Sequence, residues 1–150
     1  MKLVISAFPD GGAIPKLHTC DAADLSPAME WSGEPAGTQG FALIVDDPDA
    51  PVGTWNHWLL YDIPAGMHSL AQGFKQGQAG LSGTNDFGKR GYGGPCPPRG
   101  HGPHRYFFKL FALDAASLKL PEGARRAELD RALRKHVLEE AQYMGRYERR

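Results

Sequence analysis

The stretch that decides the fold is Asp46-Asp47-Pro48-Asp49-Ala50-Pro51-Val52-Gly53-Thr54-Trp55-Asn56-His57-Trp58, which lies between two segments of strand-like composition. The run before it, Phe41 to Val45, is entirely apolar and short, as expected of a strand that is covered on both faces. Pro48 keeps Asp47 out of the helical region and Pro51 fixes a second dihedral angle, so we expect a stiff loop. A carboxylate held by a stiff loop at a strand end predicts a functional site.

A second strand is predicted directly after this loop. Alternation with a period of two divides its side chains between two faces: Trp55, His57, Leu59 and Tyr61 on one, and Asn56, Trp58 and Leu60 on the other. We therefore expect His57 to share a face with large hydrophobic residues.

A third strand is predicted over His104 to Leu113, where alternation places His104 and Tyr106 on the same face. Both side chains can then face one pocket. The segment before this strand, Gly88 to Pro103, is a long loop without periodicity, and loops of this length inside compact domains are usually functional or disordered. Its prolines favour a held shape.

The C-terminal segment has a helical pattern. Apolar residues recur there at three- or four-residue spacing, at Leu129, Leu133, Val137, Ala141 and Met144, and Gly145 is placed as a helix stop. We predict one amphipathic helix within Ala124 to Met144. The alternating strands, together with 19 glycines and 12 prolines, predict that the rest of the fold is mainly β.

Composition limits the classes of function. The length predicts a single domain over residues 1–150. Seventeen basic side chains balance 17 acidic ones, so no basic field is available to bind nucleic acid. No apolar stretch approaches the ~20 residues of a membrane span, and the N-terminal one is too short for a signal peptide, so the cytoplasm is the expected location. In that reducing compartment we expect Cys20 and Cys96 to be thiols, unless the fold brings them together.

Several motifs of the chain together resemble the phosphatidylethanolamine-binding protein family, and specifically its bacterial Raf-kinase-inhibitor-like branch. The motifs are Asp47-Pro48-Asp49-Ala50-Pro51, Trp55-Asn56-His57-Trp58, Asn85-Asp86-Phe87-Gly88, Gly91-Tyr92-Gly93-Gly94-Pro95-Cys96-Pro97-Pro98 and His104-Arg105-Tyr106, and the ending Met144 to Arg149 also matches. Each motif alone is weak evidence, but their combination is specific and covers nearly the whole chain.

The resemblance implies a β-sandwich of two antiparallel sheets with a peripheral C-terminal helix, and a small pocket for phosphate-type anions such as phospholipid head groups. The implied ligand-binding residues are Asp47, Pro51, Trp55, His57, Pro97, Pro98, His104 and Tyr106. It also implies a homodimer and, by analogy alone, a protein kinase or protease partner. Eukaryotic members have an insertion after the aspartate motif and a longer C-terminal segment over the pocket, so their lid and their lipid preference do not transfer to this chain.

The sequence favours a binding module without turnover or cofactor, in which two imidazoles and a phenol donate hydrogen bonds to an anion. Asp47 is expected to raise the pKa of a neighbouring histidine, so anion affinity should rise between about pH 8 and about pH 6. Three alternatives remain open. One is a hydrolase that uses Cys96, His104 and Asp47 as a nucleophilic set. Another is a metal site formed by Asp47, His57 and His104. In the third, the polar residues are ordinary core residues.

Overall fold

The computed structural model describes residues 1–150 and consists mainly of strands. The strands are β1 Lys2–Val4, β2 Met29–Ser32, β3 Gly40–Asp47, β4 Trp55–Pro64, β5 Ser69–Leu70, β6 Leu81–Ser82, β7 His104–Leu113 and β8 Val137–Tyr147. One α-helix, α1, spans Arg126–Leu133, and a 3-10 turn spans Lys16–His18. No helix of the structure combines the length and the apolar character needed to cross a lipid bilayer.

The strands form two antiparallel sheets. The smaller sheet has the order β1-β2-β5, and the larger has the order β6-β4-β3-β7-β8. Leu3, Met29 and Trp31 of the smaller sheet share one hydrophobic cluster with Phe41 and Leu110 of the larger sheet. Since two antiparallel sheets enclose a common core, the mainly β, two-sheet prediction is confirmed.

Strand β3 is the centre of the larger sheet, and all eight of its residues are buried. Leu43 faces the core between the sheets, whereas Ile44 belongs to a second cluster that includes Leu129 and Leu133 of α1. The helix therefore covers the outer face of the larger sheet. This double coverage explains the continuous apolar run in β3, as the sequence predicted.

The predicted C-terminal helix is wrong beyond Leu133. Residues 137–147 form β8, which pairs antiparallel with β7 along its whole length. The apolar spacing was misleading, because residues four positions apart, such as Ala141 and Gly145, share a face in a strand as well as in a helix. Gly145 is not a helix stop. It lies opposite Tyr106 in the sheet.

The predicted faces of β4 are also partly wrong. Val45 pairs with Trp58 but Asp46 pairs with Asn56, so His57 is an extra residue in β4. Such a β-bulge shifts the alternation by one position. Trp58 and Leu60 consequently face the core between the sheets, while Leu59 and Tyr61 pack in the cluster with the helix. His57 is thereby separated from Leu59 and Tyr61, with which it was expected to share a face.

Substituting Gly145 should test the strand assignment of the C-terminal segment. A Cβ atom at this position would lie 2.5 Å from Ile14 Cγ1 and 2.5 Å from Phe8 Cε2. We expect Gly145→Ala to lower the free energy of unfolding by about 1–3 kcal/mol, measured by urea denaturation. Gly66→Ala is the matched control, because nothing lies within 4 Å of its Cβ position. If Gly145→Ala were as stable as the control, the close packing against β8 would be refuted.

Candidate functional site

The order of the strands brings the predicted site residues together. In the antiparallel order β4-β3-β7, the end of β3 lies beside the beginnings of β4 and β7. Asp47 is the last residue of β3 and pairs with Trp55, the first residue of β4. On the other side, Asp46 pairs with Phe107 near the start of β7. Residues distant in sequence therefore meet at one end of the sheet.

A cavity of about 240 Å³ opens at this end of the sheet. It is lined by all eight residues that the sequence analysis named, Asp47, Pro51, Trp55, His57, Pro97, Pro98, His104 and Tyr106. Ala50, Val52, Phe87 and Cys96 also line it. The structure brings the named residues together, and their role in binding a ligand stays a prediction.

The Asp47 carboxylate is buried at the base of the cavity and accepts two hydrogen bonds. The backbone amide of Asp49 donates to Oδ1 at 2.7 Å, and Nδ1 of His104 donates to Oδ2 at 2.7 Å. On the far side of the same imidazole, Nε2 of His104 lies 2.7 Å from Nδ1 of His101. Asp47, His104 and His101 thus form a chain of hydrogen bonds that runs from the buried carboxylate to the exposed residue His101.

Asp49 is held by Arg105, the residue after His104. The Asp49 carboxylate accepts hydrogen bonds from the backbone amide, Nε and Nη2 of Arg105 at 2.9, 2.9 and 2.8 Å. These bonds lower the pKa of Asp49 to about 2. Because Asp49 also donates its amide to Asp47, the ion pair fixes the β3–β4 loop against β7. The expected stiffness of this loop therefore involves a salt bridge as well as prolines.

His57 lies between aromatic rings. Its ring is oriented by the backbone of the loop of residues 88–103, the wall loop, which contributes Cys96, Pro97 and Pro98 to the cavity. Its Nδ1 lies 2.6 Å from the carbonyl oxygen of Gly93, and its ring makes edge contacts with Phe87 and Tyr106. Burial lowers the pKa of His57, and the nearby Asp47 carboxylate opposes this shift without reversing it. The expectation that the carboxylate would outweigh burial is therefore wrong for His57.

Two hydrogen-bond donors at the cavity have no partner in the protein. Three buried side-chain polar atoms lack a hydrogen bond, and two of them, Trp55 Nε1 and the Tyr106 hydroxyl, belong to cavity residues. The third is Trp31 Nε1, in the core between the sheets. Burial, the charge of Asp47 and the proximity of that carboxylate to the hydroxyl raise the pKa of Tyr106 well above its usual value, so the phenol keeps its proton although it has no hydrogen-bond geometry to Asp47. Because both belong to residues that line the cavity, both groups are candidate donors to a molecule bound there.

The wall loop that carries Pro97 and Pro98 is held by several contacts. The Tyr92 hydroxyl donates to the carbonyl of His18 at 2.7 Å, and the Gly94 amide donates to Asp24 Oδ1 at 3.0 Å. A Cβ atom at Gly94 would lie 2.2 Å from the same Asp24 oxygen, so only glycine fits there. The loop therefore has the held shape that its prolines indicate.

A disulfide joins Cys20 to Cys96 in this wall. The expectation that the two cysteines are thiols is wrong, because the fold brings together residues that are 76 positions apart. Since no free cysteine remains, Cys96 has no thiolate to act as a nucleophile, and the hydrolase alternative with the Cys96, His104 and Asp47 set is not favoured.

The metal alternative has no support from the geometry. No group of three or more histidine, cysteine, aspartate or glutamate side chains is arranged to hold a metal ion. Asp47 and His104 are close, but the ring nitrogens of His104 are engaged by Asp47 and His101. His57 directs Nδ1 to a backbone carbonyl.

Comparison with known proteins agrees with the motifs and the fold. The family model described as phosphatidylethanolamine-binding protein matches residues 4–148. The chain belongs to the phosphatidylethanolamine-binding protein family. A protein of Aquifex aeolicus named UPF0098 protein is 49% identical over 152 residues, covering 99% of this chain and 89% of that protein.

Two further relatives extend the comparison. The crystal structure of E. coli YbcL, described as a new member of the mammalian PEBP family, superposes on this chain with a TM-score of 0.92 and 32% identity. The superposition covers 99% of this chain and 98% of YbcL. A Mycobacterium tuberculosis protein named as a lipoprotein, LppC, is 40% identical over 141 residues, 94% of this chain and 69% of that protein.

Three residues that organise this family member's site were not found by sequence reasoning. His101 contacts His104, Arg105 clamps Asp49, and Phe87 packs edge-on against both Trp55 and His57. Two of them had a local signal, since His101 lies three positions before His104 and Arg105 directly follows it. The contacts of Phe87 depend on a loop that no periodicity describes.

The disulfide should contribute measurably to stability. We expect reduction of the wild type by dithiothreitol to lower the free energy of unfolding by about 2–4 kcal/mol, because the crosslink constrains the unfolded chain. Urea denaturation with and without the reductant measures this loss. The double variant Cys20→Ser, Cys96→Ser is the control and should be equally unstable in both conditions. An unchanged wild-type midpoint after complete reduction would contradict the expectation.

The lowered pKa of His57 predicts how stability depends on pH. The unfolded chain takes up a proton at His57 near pH ~6.5, whereas the folded chain does so only at lower pH. The contribution of neutral His57 is therefore complete above about pH 6.5 and is lost as the pH falls below it. Histidine NMR should show a His57 midpoint below ~6.5, and His57→Gln should flatten the fall in stability. A midpoint above the free-histidine value would show that the carboxylates dominate.

Proposed function

We propose that this chain binds small phosphate-type anions, including phospholipid head groups, in the cavity at the end of the larger sheet. The observation that carries the proposal is the pair of unpartnered donors, Trp55 Nε1 and the Tyr106 hydroxyl, at the cavity. A buried donor without a partner costs about 1–3 kcal/mol, so a ligand oxygen that accepts its hydrogen bond is favoured. Binding requires no turnover and no cofactor.

The size and lining of the cavity suit such a ligand. Its volume of about 240 Å³ is several times the roughly 30 Å³ that one water molecule occupies in the liquid, leaving room for an oxyanion and a short substituent. Pro51, Val52, Phe87 and Pro98 supply apolar surface for the substituent, while Asp47, His57, His104 and Tyr106 supply polar groups. This combination favours an anion that carries an organic group.

Removing single hydroxyl or N–H groups tests the proposal. We expect Tyr106→Phe and Trp55→Phe each to weaken binding of inorganic phosphate by about tenfold or more in calorimetric titration, because each removes a donor to a charged ligand. Tyr106→Phe should be at least as stable as the wild type without ligand, since it removes an unpartnered hydroxyl.

Tyr147→Phe is the control for these variants. The Tyr147 hydroxyl bonds Asp21 and does not line the cavity, so phosphate affinity should stay unchanged. Equal phosphate affinity in the wild type and in both cavity variants would remove the basis of the proposal.

Location, oligomeric state and protein partners stay predictions. The cytoplasm was expected, but a disulfide is more usual in oxidising compartments, and the similar LppC is named as a lipoprotein. A homodimer and a kinase or protease partner follow from the family resemblance alone.

A further inference from the structure

The tautomer of His57 determines what this residue offers to a ligand. A carbonyl oxygen only accepts hydrogen bonds, so the 2.6 Å contact with Gly93 requires the proton on Nδ1 of His57. Neutral imidazole then carries a lone pair on Nε2. Nε2 makes no hydrogen bond within the protein, and the residue lines the cavity. His57 therefore presents an acceptor to the ligand.

His104 has no N–H available for a ligand in the structure. Its Nδ1 donates to Asp47, which as a carboxylate only accepts, and its Nε2 shares one proton with Nδ1 of His101. Whichever of the two rings carries that proton, both nitrogens of His104 are engaged. From the sequence, both imidazoles were expected to donate to the anion, but neither has a free N–H in this arrangement.

The charges around the cavity agree with this pattern. Its lining includes the Asp47 carboxylate and contains no lysine or arginine. Arg105 follows His104 in the chain, but its guanidinium is engaged with Asp49. A fully deprotonated dianion would therefore meet an acceptor nitrogen and a carboxylate without a neighbouring fixed cation, which is unfavourable.

The complementary ligand must both accept and donate hydrogen bonds. Trp55 and Tyr106 need acceptor oxygens, whereas Nε2 of His57 needs a donor. We propose that the cavity selects a phosphate group that still carries a proton, as free hydrogen phosphate or as a phosphomonoester, over sulfate and over phosphodiesters that bring no hydrogen-bond donor of their own. This selectivity rests on the proposed anion-binding function and concerns the ligand class of the same site.

Four small anions distinguish these possibilities. Near about pH 6, where a phosphomonoester is roughly half protonated, inorganic phosphate and methyl phosphate supply a P–OH group, whereas sulfate and dimethyl phosphate carry no proton. In calorimetric titrations at this pH we expect the first two to bind at least about tenfold more tightly than the last two, because only they satisfy the acceptor. Comparison of phosphate with methyl phosphate shows whether free phosphate or a monoester is preferred.

Variants test the assignment to His57. In the His57→Gln variant the glutamine carboxamide can turn an N–H towards the ligand. This variant should therefore bring the ratio of phosphate affinity to sulfate affinity towards one. Tyr106→Phe is the matched control, because it removes a donor that all four anions use and should weaken all four while leaving the ratio unchanged. Thermal denaturation of both variants checks that they are folded.

A pH series on the wild type gives a second measurement that needs no variant. The groups facing His57 are Asp46 and Asp47 from β3, Tyr106 from β7 and Phe87 from the adjoining loop. When the pH falls well below the free-histidine value of ~6.5, His57 gains a proton on Nε2 and becomes a donor. Sulfate affinity should then rise relative to its value near about pH 7.5.

The possible outcomes separate the two proposals. If sulfate or dimethyl phosphate binds the wild type as tightly as methyl phosphate, the selectivity is wrong and anion binding stands. If the expected ratio is found but neither His57→Gln nor acidification changes it, the assignment to His57 is wrong. If none of the four anions binds, the proposed function fails and the selectivity fails with it.

Discussion

The site depends on the buried carboxylate of Asp47. A buried charge is tolerated only when it is hydrogen-bonded, and this one is bonded by the amide of Asp49 and by the ring of His104. The first contact ties the β3–β4 loop to the end of β3, and the second ties β7 to the same point. The Asp47 carboxylate therefore holds β3, the β3–β4 loop and β7 together around the cavity. Loss of the His104 ring would leave this buried carboxylate with only the hydrogen bond from the Asp49 amide.

The position of that carboxylate follows from the larger sheet. Strand β3 is buried on both faces, by the smaller sheet on one side and by α1 on the other. Its last residue is held against β4 and β7 by ladders on both edges. Side chains at such a point are expected to move little, because their backbones belong to strands that are paired on both edges or buried on both faces.

Hydrogen-bonding capacity, more than net charge, gives this cavity its chemical character. The protein uses the Nδ1 protons of His57 and His104 for its own contacts with Gly93 and Asp47. Those contacts set the orientation of the rings and also decide which atoms remain for a ligand. The polar residue types alone suggested a donor-rich anion site, whereas the structure has donors and acceptors side by side.

The sequence by itself determined the strands whose side chains alternate cleanly, the apolar centre of the larger sheet, and, through its motifs, eight of the twelve residues that line the cavity. It could not distinguish strand from helix beyond Leu133, because four-residue spacing fits both periods. Only the tertiary structure decided the bulge at His57, the contact between His101 and His104, and the disulfide of Cys20 with Cys96. The bulge depends on the neighbouring strand, and the disulfide joins residues 76 positions apart. The periodicity of a segment predicts neither the bulge nor the disulfide, because both depend on residues that are distant in sequence and become neighbours only in the folded chain.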